Sequence, residues 1–285
     1  MTTFASFPIL QLPEKSLRIA IQSLTLEQII KFSLISKSTK RTAESLNLQT
    51  DPFWLYINES VYILVQAKLN ISPYYHFIPW NPLEVDLRTF LDHSQCVLHT
   101  DKVEYFMVSS DDYDWKSIYE ALNDLEIPRT TLECVSTNVW LHKLFNKVSS
   151  GSLEITLPDF KGYRSMLSSH CQNLTVASGL TDLLSVNCAH LEVMLRMSSN
   201  EINIFLKHWI NGGFYGLESA LFKVPRNRVD KVFKGVNHKD TCAEDLDNLP
   251  RRSYKIQCAK DIYRCDGRRA TVVIDIDNLT MHVWK

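Results

Sequence analysis

From about residue 130 onward the chain repeats itself loosely. Leu-Glu pairs recur at Leu132-Glu133, Leu153-Glu154, Leu191-Glu192 and Leu217-Glu218, with Leu174-Thr175 between, at intervals of 21, 21, 17 and 26 residues. Each pair opens a short strand-like run, and helical spacings lie between them: Leu141, Leu144, Phe145 and Val148; Tyr163, Met166 and Leu167; Leu180, Leu183 and Leu184. The best-formed helix places Ile202, Phe205, Leu206, Trp209 and Ile210 on one face. Ser198 and Glu201 supply a capping box ahead of it and Asn211-Gly212-Gly213 stops it.

Strand and helix alternating about every 20 to 25 residues is the signature of a leucine-rich-repeat-like stack, in which each unit hides its apolar face against its neighbours. An ordinary α/β layer with accidental spacings is the other reading. Beyond the repeats, Asp266-Gly267 is a hairpin turn and Asp277-Asn278 a second, giving strands placed to cap the open end of the stack. Ahead of them, Phe53, Leu55 and Ile57, then Val61, Ile63 and Val65, alternate around Asn58-Glu59-Ser60 as a β-hairpin. The proline-rich stretch from Ile71 to Pro82 is expected to be a turn or loop after it.

Composition narrows the function classes. With 285 residues, 45% hydrophobic, 22% charged and only 8 glycines, the chain is ordered and globular. A formal charge of -1 favours neither phosphate backbones nor acidic membranes, so no nucleic acid and no membrane partner is expected. No apolar run approaches a bilayer span, and no basic start with a clean apolar core marks a signal peptide. The seven cysteines have no CxxC pairing and read as reduced thiols, so four Asn-x-Ser/Thr sequons are put down to chance. The expected location is cytoplasmic and/or nuclear.

The amino-terminal stretch carries more aliphatic side chains than a unit of its size can hide. Leu17, Ala20, Ile21 and Leu24 share one helical face behind Pro13. Thr25 and Gln28 match a capping box for a second helix with Leu26, Ile29, Ile30 and Phe32, and Ser36 or Ser38 starts a third with Ala43 and Leu46. Ile19 lies off the first face, and Phe32 and Ile35 cannot both join the side of Ile30 and Leu34. A unit of about 40 residues is near the limit of folding alone, and exposed apolar surface of this kind marks an interaction face. The competing reading is that the segment packs wholly against the rest of its own chain.

Leu12-Pro13-Glu14, then Leu17, Ile21 and Leu24, then Ile29-Ile30 and Ser33 to Lys37 resemble the F-box over about 40 residues. Thr39 stands where that motif commonly has a Trp, Ala20 replaces a larger aliphatic, and Thr25-Leu26 replaces an Asp-Pro turn. Leu180 to Glu218, with Leu183-Leu184, Asn187-Cys188, Phe205-Leu206-Lys207, Trp209 and Gly212-Gly213, is similar to the F-box-associated type 2 domain of a large set of nematode F-box proteins. Together these imply an α+β chain: a three-helix F-box at residues 6–49, then at 50–285 a leucine-rich-repeat-like strand/helix domain with C-terminal β-hairpins.

The resemblance implies a substrate-recognition subunit of an SCF-type cullin ubiquitin ligase. The F-box would dock a Skp-type adaptor through Leu12, Pro13, Leu17, Ile21, Leu24, Ile30, Leu34 and Ile35, divided between contact and internal packing, and the remainder would hold a protein target. The alternative is a repeat-like scaffold with a degenerate F-box. No enzyme, cofactor or metal is expected. The candidates for chemistry all have plainer readings. Asp275 and Asp277 share a face that suits a divalent cation but sit at a turn. Ser109 to Trp115 is acidic and caps a helix. Cys188 and His190 lack a visible orienting carboxylate. The basic run Lys223, Arg226, Arg228, Lys231 and Lys234 lacks a nucleic-acid module around it, and no GxGxxG, Walker loop or HExxH occurs.

Overall fold

The structure is a computed structural model. It describes residues 9–48, 50–67, 74–133, 139–148, 151–155, 171–177, 179–224, 229–247, 249 and 256–284. The chain divides between Ile127 and Pro128 into two compact units.

The first unit opens with helices α1 (Glu14–Gln22), α2 (Leu26–Ser33) and α3 (Lys37–Glu44). Strands β1 (Phe53–Ile57), β2 (Val61–Ala67), β3 (Tyr74–Pro79) and β4 (Val103–Val108) follow, joined in the order β4-β1-β2-β3. Helix α4 (Leu87–Leu98) precedes β4 and α5 (Trp115–Leu122) follows it. The expected hairpin is present, with Ile57 opposite Val61 and Leu55 opposite Ile63. Asn58 closes its turn, its Oδ1 accepting from the Ser60 N–H at 3.0 Å. Phe53, Leu55, Ile57, Val61, Ile63 and Val65 are buried on one face, while α2 and α3 pack against α4 and α2 also meets β3.

One expectation is corrected here. Tyr74–Pro79 is not a loop but a strand, antiparallel to β2 with Tyr62 opposite Pro79 and Leu64 opposite Phe77. Pro73 lies outside the described residues, while Pro79 is the last residue of the strand and Pro82 follows it. There a missing N–H costs the ladder little, and β3 lies at the end of this unit's strand order.

In the second unit β5 (Arg129–Leu132), β6 (Ser152–Ile155), β7 (Cys171–Val176), β8 (Cys188–Arg196) and β9 (Ser219–Lys223) lie side by side. Each neighbouring pair is parallel. The repeat explains the centre of this array: Leu153 pairs with Leu174 and Leu174 with Leu191, one buried row across three strands. It slips at both ends. Leu132 lies opposite Ile155, and Ala220, not Leu217, lies opposite Leu191.

Helix α6 (Val139–Val148) buries Leu144 and Phe145 between β5 and β6 in sequence. Helix Ser199–Ile210 follows β8, capped by Ser198 and Glu201 as expected, and buries Ile202, Phe205, Leu206 and Trp209. It stops at Asn211, where Gly212 takes a φ of +95°. The pattern at Tyr163, Met166 and Leu167 lies outside the described residues.

Strands β10 (His238–Asp240), β11 (Cys258–Tyr263), β12 (Arg269–Ile274) and β13 (Asn278–Val283) continue the sheet antiparallel from β9 in the order β9-β13-β12-β11-β10. Both expected turns are present. At the first, Gly267 has a φ of +90°, and Asp266 accepts from the Arg268 N–H at 3.2 Å. A hydrogen bond from Arg264 holds the Asp266 carboxyl down at about 2, so it stays ionised. The architecture is α+β, with a helical amino-terminal region and mixed strands carrying helices.

Candidate functional site

The amino-terminal helices are fixed by their caps. Pro13 begins α1, its carbonyl accepting from the Leu17 N–H at 2.9 Å. At α2, Thr25 Oγ1 accepts from the Gln28 N–H at 3.3 Å and Gln28 Oε1 accepts from the Thr25 N–H at 2.8 Å. Ser36, rather than Ser38, caps α3. Its Oγ accepts from the Thr39 N–H at 3.2 Å and Thr39 Oγ1 accepts from the Ser36 N–H at 2.9 Å. Thr39 is buried, so this position closes a helix end instead of offering a large ring outward.

With the helices held this way, the eight candidate residues separate by burial. Ile21 and Ile30 are sealed inside. Leu12, Leu17, Leu24 and Leu34 are half-buried, and Pro13 and Ile35 are exposed. Ile35 is 72% exposed, Ile19 68% and Leu10 45%. Fully covering a side chain of this size contributes about 1.5–3 kcal/mol, so these three represent apolar surface the fold leaves open. Leu10 was outside the expected set, because it precedes α1 in a short 3-10 turn (Ile9–Gln11) with no helical face to assign it to.

The candidates for chemistry have structural employment. Asp275 Oδ1 accepts from the N–H groups of Asp277 and Asn278 at 3.0 and 2.7 Å, closing the turn before β13. Asp114 caps α5, accepting from the Lys116 N–H at 3.2 Å. Cys188 lies opposite Cys171 across adjacent strands. The hydrogen bond with Cys171 and burial push the Cys188 thiol well up, which keeps it protonated and unreactive. His190 engages Ser219 Oγ through Nδ1 at 2.9 Å.

That pair lies in a cavity of about 550 Å³ opening on β7, β8, β9, β12 and β13, with Glu192, Thr271, His282 and Trp284 also on its wall. Burial lowers the His282 pKa, as does nearby His190, against an opposing pull from Glu218. Two imidazoles, a serine hydroxyl and the indole of Trp284 place donors and acceptors on the wall of this cavity. Sequence reasoning missed it because its residues come from five strands and share no motif.

Among the described residues, no group of three or more His, Cys, Asp or Glu side chains is placed to hold a metal ion, and no helix is long and apolar enough to cross a membrane. Of the basic run, Arg226 and Arg228 lie outside the described residues.

Residues 9–50 match the F-box domain, and residues 162–220 match a family described as F-box associated. No curated protein and no solved structure matches the chain.

Proposed function

We propose, from the F-box domain and the F-box-associated domain that this chain carries, that it is the substrate-recognition subunit of an SCF-type cullin ubiquitin ligase. The F-box docks a Skp-type adaptor and residues 50–285 hold a target protein. The chain acts without catalytic chemistry of its own: holding a target lysine near a loaded conjugating enzyme raises effective concentration. It works in the cytoplasm, the nucleus or both.

The single observation that carries the reading is open aliphatic surface on a module whose helices are otherwise capped and packed, at Leu10, Ile19 and Ile35. Around them, half-buried Leu12, Leu17, Leu24 and Leu34 and exposed Pro13 supply the rest of the adaptor contact, while Ile21 and Ile30 hold the helices together. The parallel row Leu153, Leu174 and Leu191 supports a leucine-rich-repeat-like body for the target-binding half.

Immunoprecipitation of the full chain from cells is expected to bring down both adaptor and cullin, and a Leu12→Asp, Leu17→Asp double variant neither. Equal recovery with both chains, or with neither, would refute the assignment. One observation favours the rival scaffold with a degenerate F-box. Thr39 is turned inward where the motif commonly offers a tryptophan, and aromatic anchors often dominate an interface. That rival predicts no adaptor in the precipitate of the wild-type chain.

A further inference from the structure

Alternate residues of β7, β8, β9, β13 and β12 share one face of those strands, and register sets them in two rows on the wall of the cavity around His190 and Ser219. The first row runs Asn173, His190, Ser219, His282 and Thr271, each opposite the next. The second runs Thr175, Glu192, Leu221, Thr280 and Val273 in the same way. At about 550 Å³ the cavity falls within the ordinary range of ligand sites, roughly 300–1,000 Å³.

The rows differ in how their polar groups are engaged. In the first, His190 Nδ1 meets Ser219 Oγ at 2.9 Å, while Thr271 Oγ1 accepts from Trp284 Nε1 at 2.8 Å and donates to Asp261 Oδ1 at 2.6 Å. In the second, the carboxylate of Glu192 and the hydroxyls of Thr175 and Thr280 make no side-chain hydrogen bond or ion pair among the described residues. All three are half-buried. Leu221 and Val273 stand beside them in the row, and Leu249 adds a further aliphatic side chain to the wall.

The charge of the cavity selects among ligands. Among the described residues its wall holds no Lys or Arg. Arg269, over the Trp284 ring at 4.6 Å, is paired with Asp245 at 2.8 Å and Asp261 at 3.6 Å. Glu218, the other carboxylate on the wall, has contacts of its own. A phosphate or carboxylate ligand would meet Glu192 with no cation to hold it. A wholly apolar ligand would cover that carboxylate unpaired, at a cost. A positive charge on an aliphatic stem meets both conditions, and lysine and arginine side chains are built that way. Neighbouring strands lie about 4.8 Å apart, so Glu192 on β8 and Thr280 on β13 are about 10 Å apart with Leu221 between them. That span suits one such side chain: its head at Glu192, its stem across Leu221, and a peptide carbonyl accepting from the Thr280 hydroxyl.

We propose that this cavity binds a lysine or arginine side chain from an extended segment of a partner protein, with Glu192 pairing its charge and Leu221, Val273 and Leu249 covering its stem. Identifying that partner as the ligase target rests on the receptor reading above; the binding itself does not.

The probe is a capped alanine pentapeptide with lysine at its centre, titrated calorimetrically into the full chain beside peptides with arginine, norleucine or glutamate there. The lysine and arginine peptides are expected to saturate the chain and to bind at least about tenfold more tightly than the norleucine peptide. Glu192→Gln is expected to remove that preference with an unchanged melt, and Glu192→Lys to transfer it to the glutamate peptide. The comparison of peptides on the wild-type chain stands even if a variant fails to fold. No binding of the lysine and arginine peptides, equal binding of the norleucine peptide, n-butylamine bound as tightly as the lysine peptide, or a folded Glu192→Gln chain that keeps the preference would overturn the proposal. Adaptor capture, measured alongside, separates the two claims. Peptide failure with capture intact removes only this site, and capture failure with peptide binding intact removes only the ligase role.

Discussion

Ile21 and Ile35 have the same side chain and opposite jobs. Ile21 is wholly buried and Ile35 is mostly in solvent, a division that composition and helical spacing could not make. Periodicity identifies which residues share a face but not which neighbour covers that face, so the sequence named both and separated neither. The energetic consequence is direct. Ile21→Ala removes buried volume and is expected to cost about 2–5 kcal/mol of stability in chemical denaturation. Ile35→Asp should leave the denaturation midpoint essentially where it was. An Ile21→Ala chain as stable as wild type would show that the interior is not where the structure puts it. Thr39 makes the same point for a polar residue. In the sequence it looked like a departure from the F-box pattern, and in the structure it is half of a capping box.

Elements with local causes were legible before the structure. The caps at Thr25 and Ser198, the α3 cap down to Ser36 or Ser38, a cap for α5 within Ser109 to Trp115, the glycine stop at Gly212 and the two late hairpin turns follow from side chains reaching their own backbone. Elements with distant causes were not. β3 was hidden by its flanking prolines, because pairing with β2 rather than local preference makes it a strand. The cavity around His190 and Ser219 needed the register of several strands. Since the α3 cap is reciprocal, Ser36→Ala is expected to cost about 1 kcal/mol, and Thr39→Ala a similar amount. The double variant should cost less than the sum of the two, because each removes the other's partner. Full additivity in a double-mutant cycle would mean that Ser36 and Thr39 do not act together.

At the scale of the whole molecule, two half-buried imidazoles set a pH dependence. Burial lowers the His93 pKa, helped by Lys40 and opposed by Asp92, Glu44 and a backbone hydrogen bond with Ser33. Burial lowers that of His282 as well. Both are neutral in the folded chain at pH values where the unfolded chain begins to take up protons. Their contribution is therefore full above the ordinary histidine pKa of about 6.5 and is lost as pH falls from there through the folded values. Thermal melts should show stability declining between about pH 7 and about pH 5, less steeply in a His93→Gln, His282→Gln variant; stability rising on acidification would contradict this. The proposed adaptor-docking face is the aliphatic surface left open on the amino-terminal helices. Calorimetric titration of the Skp-type adaptor into the full chain tests it most directly. Binding is expected to saturate and to weaken by at least about tenfold, or about 1.4 kcal/mol, in an Ile19→Asp, Ile35→Asp variant with an unchanged melt. Wild-type and variant chains that bind the adaptor equally, or a wild-type chain that does not bind it, would contradict it.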